Sequence, residues 1–159
     1  MADMLNDGQI KVTFVPSIAN IAAPTTAELA AGTALECLIT ADGLEIKTDE
    51  GVIEIPKLCE TSMSQAPGRT THGVTLTMVR QTTLGLDYAW TVLLRNTIGF
   101  LVIRLALPYT TAYASAQKVI VYPGRVGERR LQKPEMNGAT KSVSQWYVSS
   151  QPNLDATIA

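Results

Sequence analysis

Residues 98–107 read Ile98-Gly99-Phe100-Leu101-Val102-Ile103-Arg104-Leu105-Ala106-Leu107, and this stretch decides the fold class. Successive side chains of a strand point to opposite faces, so Gly99, Leu101, Ile103, Leu105 and Leu107 share one face, and Ile98, Phe100, Val102 and Ala106 the other. Both faces are largely apolar, which marks a central strand covered on both sides. The run holds Gly99 and Arg104 and falls well short of the roughly 18 apolar residues of a membrane span.

Working outward, the segment just upstream places Leu86, Ala89, Trp90, Leu93 and Leu94 at three- and four-residue spacing. That is the pattern of an amphipathic helix over Leu86–Arg95, expected to supply one cover with Trp90 as a core anchor. Elsewhere period-two alternation dominates, as in Ile10, Val12 and Phe14, and again in Val74, Leu76 and Met78. Further strands are expected at 35–40, 44–47, 52–55, 118–122 and 141–148. The residues Thr48-Asp49-Glu50-Gly51 read as a hairpin turn. Thr25 and Glu28 have capping-box spacing and predict a short helix over about 25–31, ended by Gly32. The fold class is mainly β, a sandwich or barrel with one flanking helix (about 86–95) and a short N-terminal one (about 25–31). Residues 60–72, 123–139 and 149–159 show no periodicity and are expected to be long loops that order against another chain.

The 159 residues, 46% apolar and 17% charged, suit a single domain that folds without a metal or cofactor. Met1–Gly8 contains Asp3 and Asp7 and no basic segment leading into an apolar one, so it is not read as a secretory signal. Cys37 falls in the alternation of Leu35 and Ile39 and is expected to be a buried free thiol, with a Cys37–Cys59 bridge left open.

No constellation for catalysis emerges. His72 lacks a nucleophile or carboxylate at any recognisable spacing and reads as a solvated loop histidine. Gly124-Arg125-Val126-Gly127 lacks the ending of a nucleotide-binding loop and reads as a hairpin tip. The acids Asp42, Glu45, Asp49, Glu50 and Glu54 do not match a calcium loop.

Charge is unevenly laid out. Residues 1–60 carry ten acids and three bases (−7), and residues 61–159 carry four acids and ten bases (+6). The two parts either pair within one subunit or meet between copies. Arg125, Arg129, Arg130 and Lys133 form the one basic cluster, flanked by Glu128 and Glu135. With a pI of about 5.8, pairing with the acidic part of a neighbouring copy suits the cluster better than nucleic-acid binding.

Several segments together resemble the major tail (tail tube) proteins of siphophages, particularly those of actinobacteriophages. They are Phe14-Val15-Pro16-Ser17-Ile18, Ala23-Pro24-Thr25-Thr26-Ala27-Glu28-Leu29, Ala31-Gly32-Thr33, Cys37-Leu38-Ile39-Thr40 and Asp42-Gly43-Leu44. Gly99-Phe100-Leu101-Val102-Ile103-Arg104, Val121-Tyr122-Pro123, Gly127-Glu128 and Pro152-Asn153-Leu154-Asp155 complete the match. The resemblance implies one tail tube domain over residues 1–159; the missing catalytic chemistry reads as non-enzymatic, and the arms at 1–8 and 149–159 are expected to dock on neighbours, since chain ends fray unless tied down. It implies stacked, hexameric rings that form the tail conduit for the genome, assembled in the host cytoplasm and carried in the virion. Its partners would be further copies and the tape measure, terminator and distal tail proteins, with DNA only as passing cargo and no membrane. Glu45, Asp49, Glu50 and Glu54 are expected to face the lumen or the adjacent ring, and Arg125, Arg129, Arg130 and Lys133 a neighbouring subunit. A secretion-tube subunit or a capsid decoration protein is the alternative, followed by a small hydrolytic or ligand-binding β-barrel.

Overall fold

The structure, a computed structural model, describes residues 2–159, so Met1 of the expected N-terminal arm lies outside the described residues. The chain runs β1 (Lys11–Val15), α1 (Thr26–Ala30), β2 (Thr33–Ala34), β3 (Ile39–Ile55), β4 (Ser64–Val79), α2 (Tyr88–Thr91), β5 (Ile98–Arg104), β6 (Lys118–Val126), β7 (Arg130–Leu131), β8 (Lys141–Val148) and β9 (Asn153–Thr157). All strands join one antiparallel sheet in the order β2-β1-β5-β6-β8-β4-β3, with β7 on β8 and β9 on β6. The mainly β expectation holds, with two small helices.

Strand β5 is central, between β1 and β6. Its Leu101 and Ile103 enter one core with Val12, Phe14, Val74, Leu76, Met78 and Trp146. Its Val102 enters a second core on the opposite face with Leu29, Val119, Ala156 and Ile158. The rings of Phe14 on β1 and Trp146 on β8 meet edge to face at 5.9 Å. Three strand steps separate β1 from β8, about 14 Å in a flat sheet, so the sheet must curl around its first core. Strand β6 carries the bend. One edge pairs with β5 throughout, while the other pairs with β9 at Lys118–Val121 and then with β8 at Gly124–Val126.

The second cover comes from α1, the segment before it and β9, not from the expected helix over 86–95. That helix is the single turn α2, which places Ala89 in the first core, and Leu93 joins it from two residues beyond the helix end. Its backbone is captured beyond Val92: the Asn96 N–H donates to the Val126 carbonyl, and the Val126 N–H to the Thr97 carbonyl. Strand-like pairing with β6 therefore outcompetes the apolar helical spacing. At α1 the capping box forms as its spacing predicts. Glu28 accepts from the Thr25 N–H at 2.9 Å, and Thr25 Oγ1 from the Glu28 N–H. The same carboxylate accepts the Ala19 N–H, and these backbone donors hold Glu28 below its usual carboxyl range.

Arg104, at the end of β5, is fully buried without a carboxylate partner. It donates to the carbonyls of Pro108 (2.8 Å) and Ala112 and to Gln117 Oε1, which ties down the loop between β5 and β6. Tyr113 of that loop lies beside it and bonds Thr13 through its hydroxyl, and burial pushes its phenol upward.

Several local expectations are corrected. Thr48–Gly51 is not a turn, because β3 passes through it with an irregularity between Glu50 and Val52. Ser64–His72 is strand, not loop; period-two patterning fails there because neither face is buried. Gly124–Gly127 is not a hairpin tip, since Gly124–Val126 lies inside β6. Residues 35–38 turn instead of extending, with the Leu38 and Ile39 N–H groups both on the Leu35 carbonyl. That breaks the alternation, so Cys37 is exposed, and Cys59 is likewise free and exposed. The segment 149–159 contains β9, which docks on β6 of its own subunit and buries Ala156, with Ile158 buried just past its end.

Candidate assembly surface

The sheet supports β4 through β8 only along Gly73–Val79. Past that point Thr48–Ile55 and Ser64–His72 continue as a two-stranded ribbon, with residues 45–65 all exposed. About eight residues at roughly 3.3 Å each carry its tip some 26 Å beyond the sheet. Two strands alone are marginal in water. This ribbon also exposes Val52, Ile53, Ile55 and Met63, and Leu58 at its tip is fully exposed. Strand β3 ends the sheet order, so its outer edge is unpaired over 17 residues. Its polar backbone groups are open to another strand.

Ladder register sorts the four acidic candidates. Glu45 and Asp49, opposite Thr75 and Thr71, share a face with Lys47. Glu50 and Glu54 alternate onto the other face, with Thr48 and Val52. The four thus form two pairs back to back, not one cluster. On the first face a row runs across five strands from Lys47 through Gly73, Tyr147 and Arg125 to Ile98. Ile98, Arg125 and Tyr147 of that row are exposed.

The basic candidates also separate. Arg125 lies in that row, while Arg130, on β7 opposite Val143, and Lys133 are exposed. Arg129 is engaged inside the subunit, donating to the Trp90 carbonyl with its guanidinium carbon 4.3 Å from the indole centroid. Arg80 lies over the same indole at 3.9 Å and bonds the buried Asp87 at 2.8 Å. Trp90 is therefore a half-buried platform for two guanidiniums and not the core anchor its spacing suggests. Nothing in the local sequence signals this, since the three residues lie 10 and 39 positions apart.

Four ion pairs occur among the described residues: Lys11–Glu36, Lys57–Glu60, Arg80–Asp87 and Arg95–Glu128. Each joins residues of the same part of the chain, and none links the acidic residues 1–60 to the basic remainder. His72 is not a loop histidine. It lies on β4 opposite Thr48, with Nδ1 3.3 Å from Thr48 Oγ1 and Nε2 buried without a partner. Among the described residues, no group of three His, Cys, Asp or Glu could hold a metal ion, and no helix is long and apolar enough to cross a membrane.

A family model described as phage tail tube protein matches residues 1–159, the whole chain. No curated protein matches it.

Proposed function

The chain belongs to the phage tail tube proteins and is a structural component of the bacteriophage tail, and from that premise we propose that it assembles with its own copies into stacked rings that form the conduit for the genome. The observation that carries this reading is the β3–β4 ribbon, whose apolar side chains and 17-residue free edge have no cover within the subunit. Covering them requires another strand and another apolar surface, and a second copy supplies both. Hexameric rings of the siphophage kind, built in the host cytoplasm alongside tape measure, terminator and distal tail proteins, are the form we propose. The whole of residues 1–159 then serves as one tail tube domain.

We place Glu45 and Asp49 toward the lumen. Their face carries Thr71, Thr75 and Gln145, and Lys47 and Arg125 bring its charge close to neutral. A strongly basic wall would retain DNA through counterion release, so such a face suits passing cargo. Glu50 and Glu54 would face the adjacent ring, opposite the exposed Arg130 and Lys133 of a neighbour.

Electron microscopy of the purified protein over a range of concentrations tests this function. Rings or tubes of uniform width are the expected result. A protein that stays monomeric at every concentration, also with the other tail proteins present, refutes it.

A further inference from the structure

At the opposite end of β3 from the exposed tip lies a cleft of about 470 Å³ between the N-terminal segment and the turn after β2. Ile10, Val12, Ile39 and Leu44 give it an apolar lining, and Asp7 and Glu36 make it acidic. Glu36 has one carboxylate oxygen 3.9 Å from Lys11 Nζ, and the other is buried without a hydrogen-bond partner. Such an oxygen is costly to leave unmet. Cys37 also lines this cleft.

The tip has the complementary chemistry. Leu58, flanked by Ile55 and Met63, presents bare apolar surface, and Lys57 sits beside it. In the free subunit Lys57 pairs only with Glu60, a surface contact at 3.2 Å that is cheap to exchange. Cys59 follows Leu58 directly.

We propose that the Leu58 tip of one copy seats in the Ile10–Ile39–Leu44 cleft of the next, with Lys57 directed to Asp7 and Glu36. This rests on the assembly reading above and names the contact that propagates it. The occupant has to come from a second copy. Leu44 of the cleft and Ile55 at the base of the tip lie 11 residues apart on β3, about 36 Å at roughly 3.3 Å per residue, so no subunit reaches its own cleft. A contact whose two halves lie at opposite ends of one subunit is head to tail, and where the rotation between copies does not close a ring its repetition extends a stack.

The seat brings Cys59 of one copy close to Cys37 of the next, which provides a probe. Assembled protein is treated with a short bismaleimide, whose two alkene groups each add one thiol, beside dispersed protein at the same concentration. A ladder of multimers is expected from the assemblies alone, lost in Cys37→Ser and in Cys59→Ser. Leu58→Asp is expected to abolish tubes while leaving the melting temperature of the subunit unchanged, since Leu58 is fully exposed there. Tubes that form without any Cys37–Cys59 link, and that Leu58→Asp leaves at full length, overturn the seat and leave the assembly reading standing. A protein that never assembles overturns both.

Discussion

Gly99 of β5 lies directly opposite Gly124 of β6. A β-carbon on Gly99 would stand 2.6 Å from the Phe14 ring, and one on Gly124 would stand 2.2 Å from the Tyr147 carbonyl oxygen and 2.9 Å from Trp146 Nε1. The two missing side chains make the hollow in which Phe14 and Trp146 meet, and the curl of the sheet closes over it. Either glycine changed to alanine should destabilise the subunit by about 1–3 kcal/mol through overpacking. Chemical denaturation of each variant measures this, and a loss within 0.5 kcal/mol, about the scatter of neutral surface changes, contradicts it.

The Trp90 platform predicts that Arg129→Ala costs about 1–2 kcal/mol, the sum of a cation–π contact and a hydrogen bond to a backbone carbonyl. The tryptophan emission should change with it. Arg129→Lys should recover little, because a point charge does not reproduce the stacked planar fork. An unchanged melting curve for Arg129→Ala removes the clamp from the account.

Glu28 gives a pH signature. Its folded carboxyl titrates below the usual value of 4.5 because the Thr25 N–H, then the Ala19 N–H, bind the charged form. A depressed carboxyl contributes stability that is present above the unfolded value and is lost as pH falls through the folded one. Wild type should therefore lose stability below about pH 4.5 relative to Glu28→Gln, whose pH dependence should be flatter there. Parallel melting curves between pH 3 and 6 for the two proteins would oppose this.

No ion pair among the described residues joins the acidic and basic parts of the chain, which leaves both available to neighbouring copies. Raising ionic strength from about 0.1 to 1 M shortens the screening length from about 10 to 3 Å. Assemblies should dissociate over that range while the subunit stays folded, as followed by light scattering beside circular dichroism. Arg130→Glu combined with Lys133→Glu should impair assembly at low salt without shifting the melting temperature.

What was legible in the sequence follows burial. Residues 98–104 announced a central strand because both faces are apolar, and Thr25 with Glu28 announced a cap because its spacing is local. The ribbon is illegible in sequence for the complementary reason: with no face buried, Thr48–Gly51 shows turn chemistry and Ser64–His72 shows no period. The helix expected over 86–95 failed because pairing of residues 96–97 with β6 is a long-range contact that spacing does not encode. Composition alone marks the acidic and basic candidates. Which of them share a face depends on ladder register, and Arg129 turned inward to a tryptophan 39 positions away.

The unsupported ribbon is also a spacer with a fixed increment. Two residues added to each of its strands should move the tip outward by about 7 Å and keep every side chain on its present face, whereas one residue added to each should turn Val52 and Ile53 over. The axial repeat of an assembly held at that tip should therefore be adjustable in even steps and fail at odd ones, which would make the length of β3 a setting of the proposed assembly as well as a feature of the subunit.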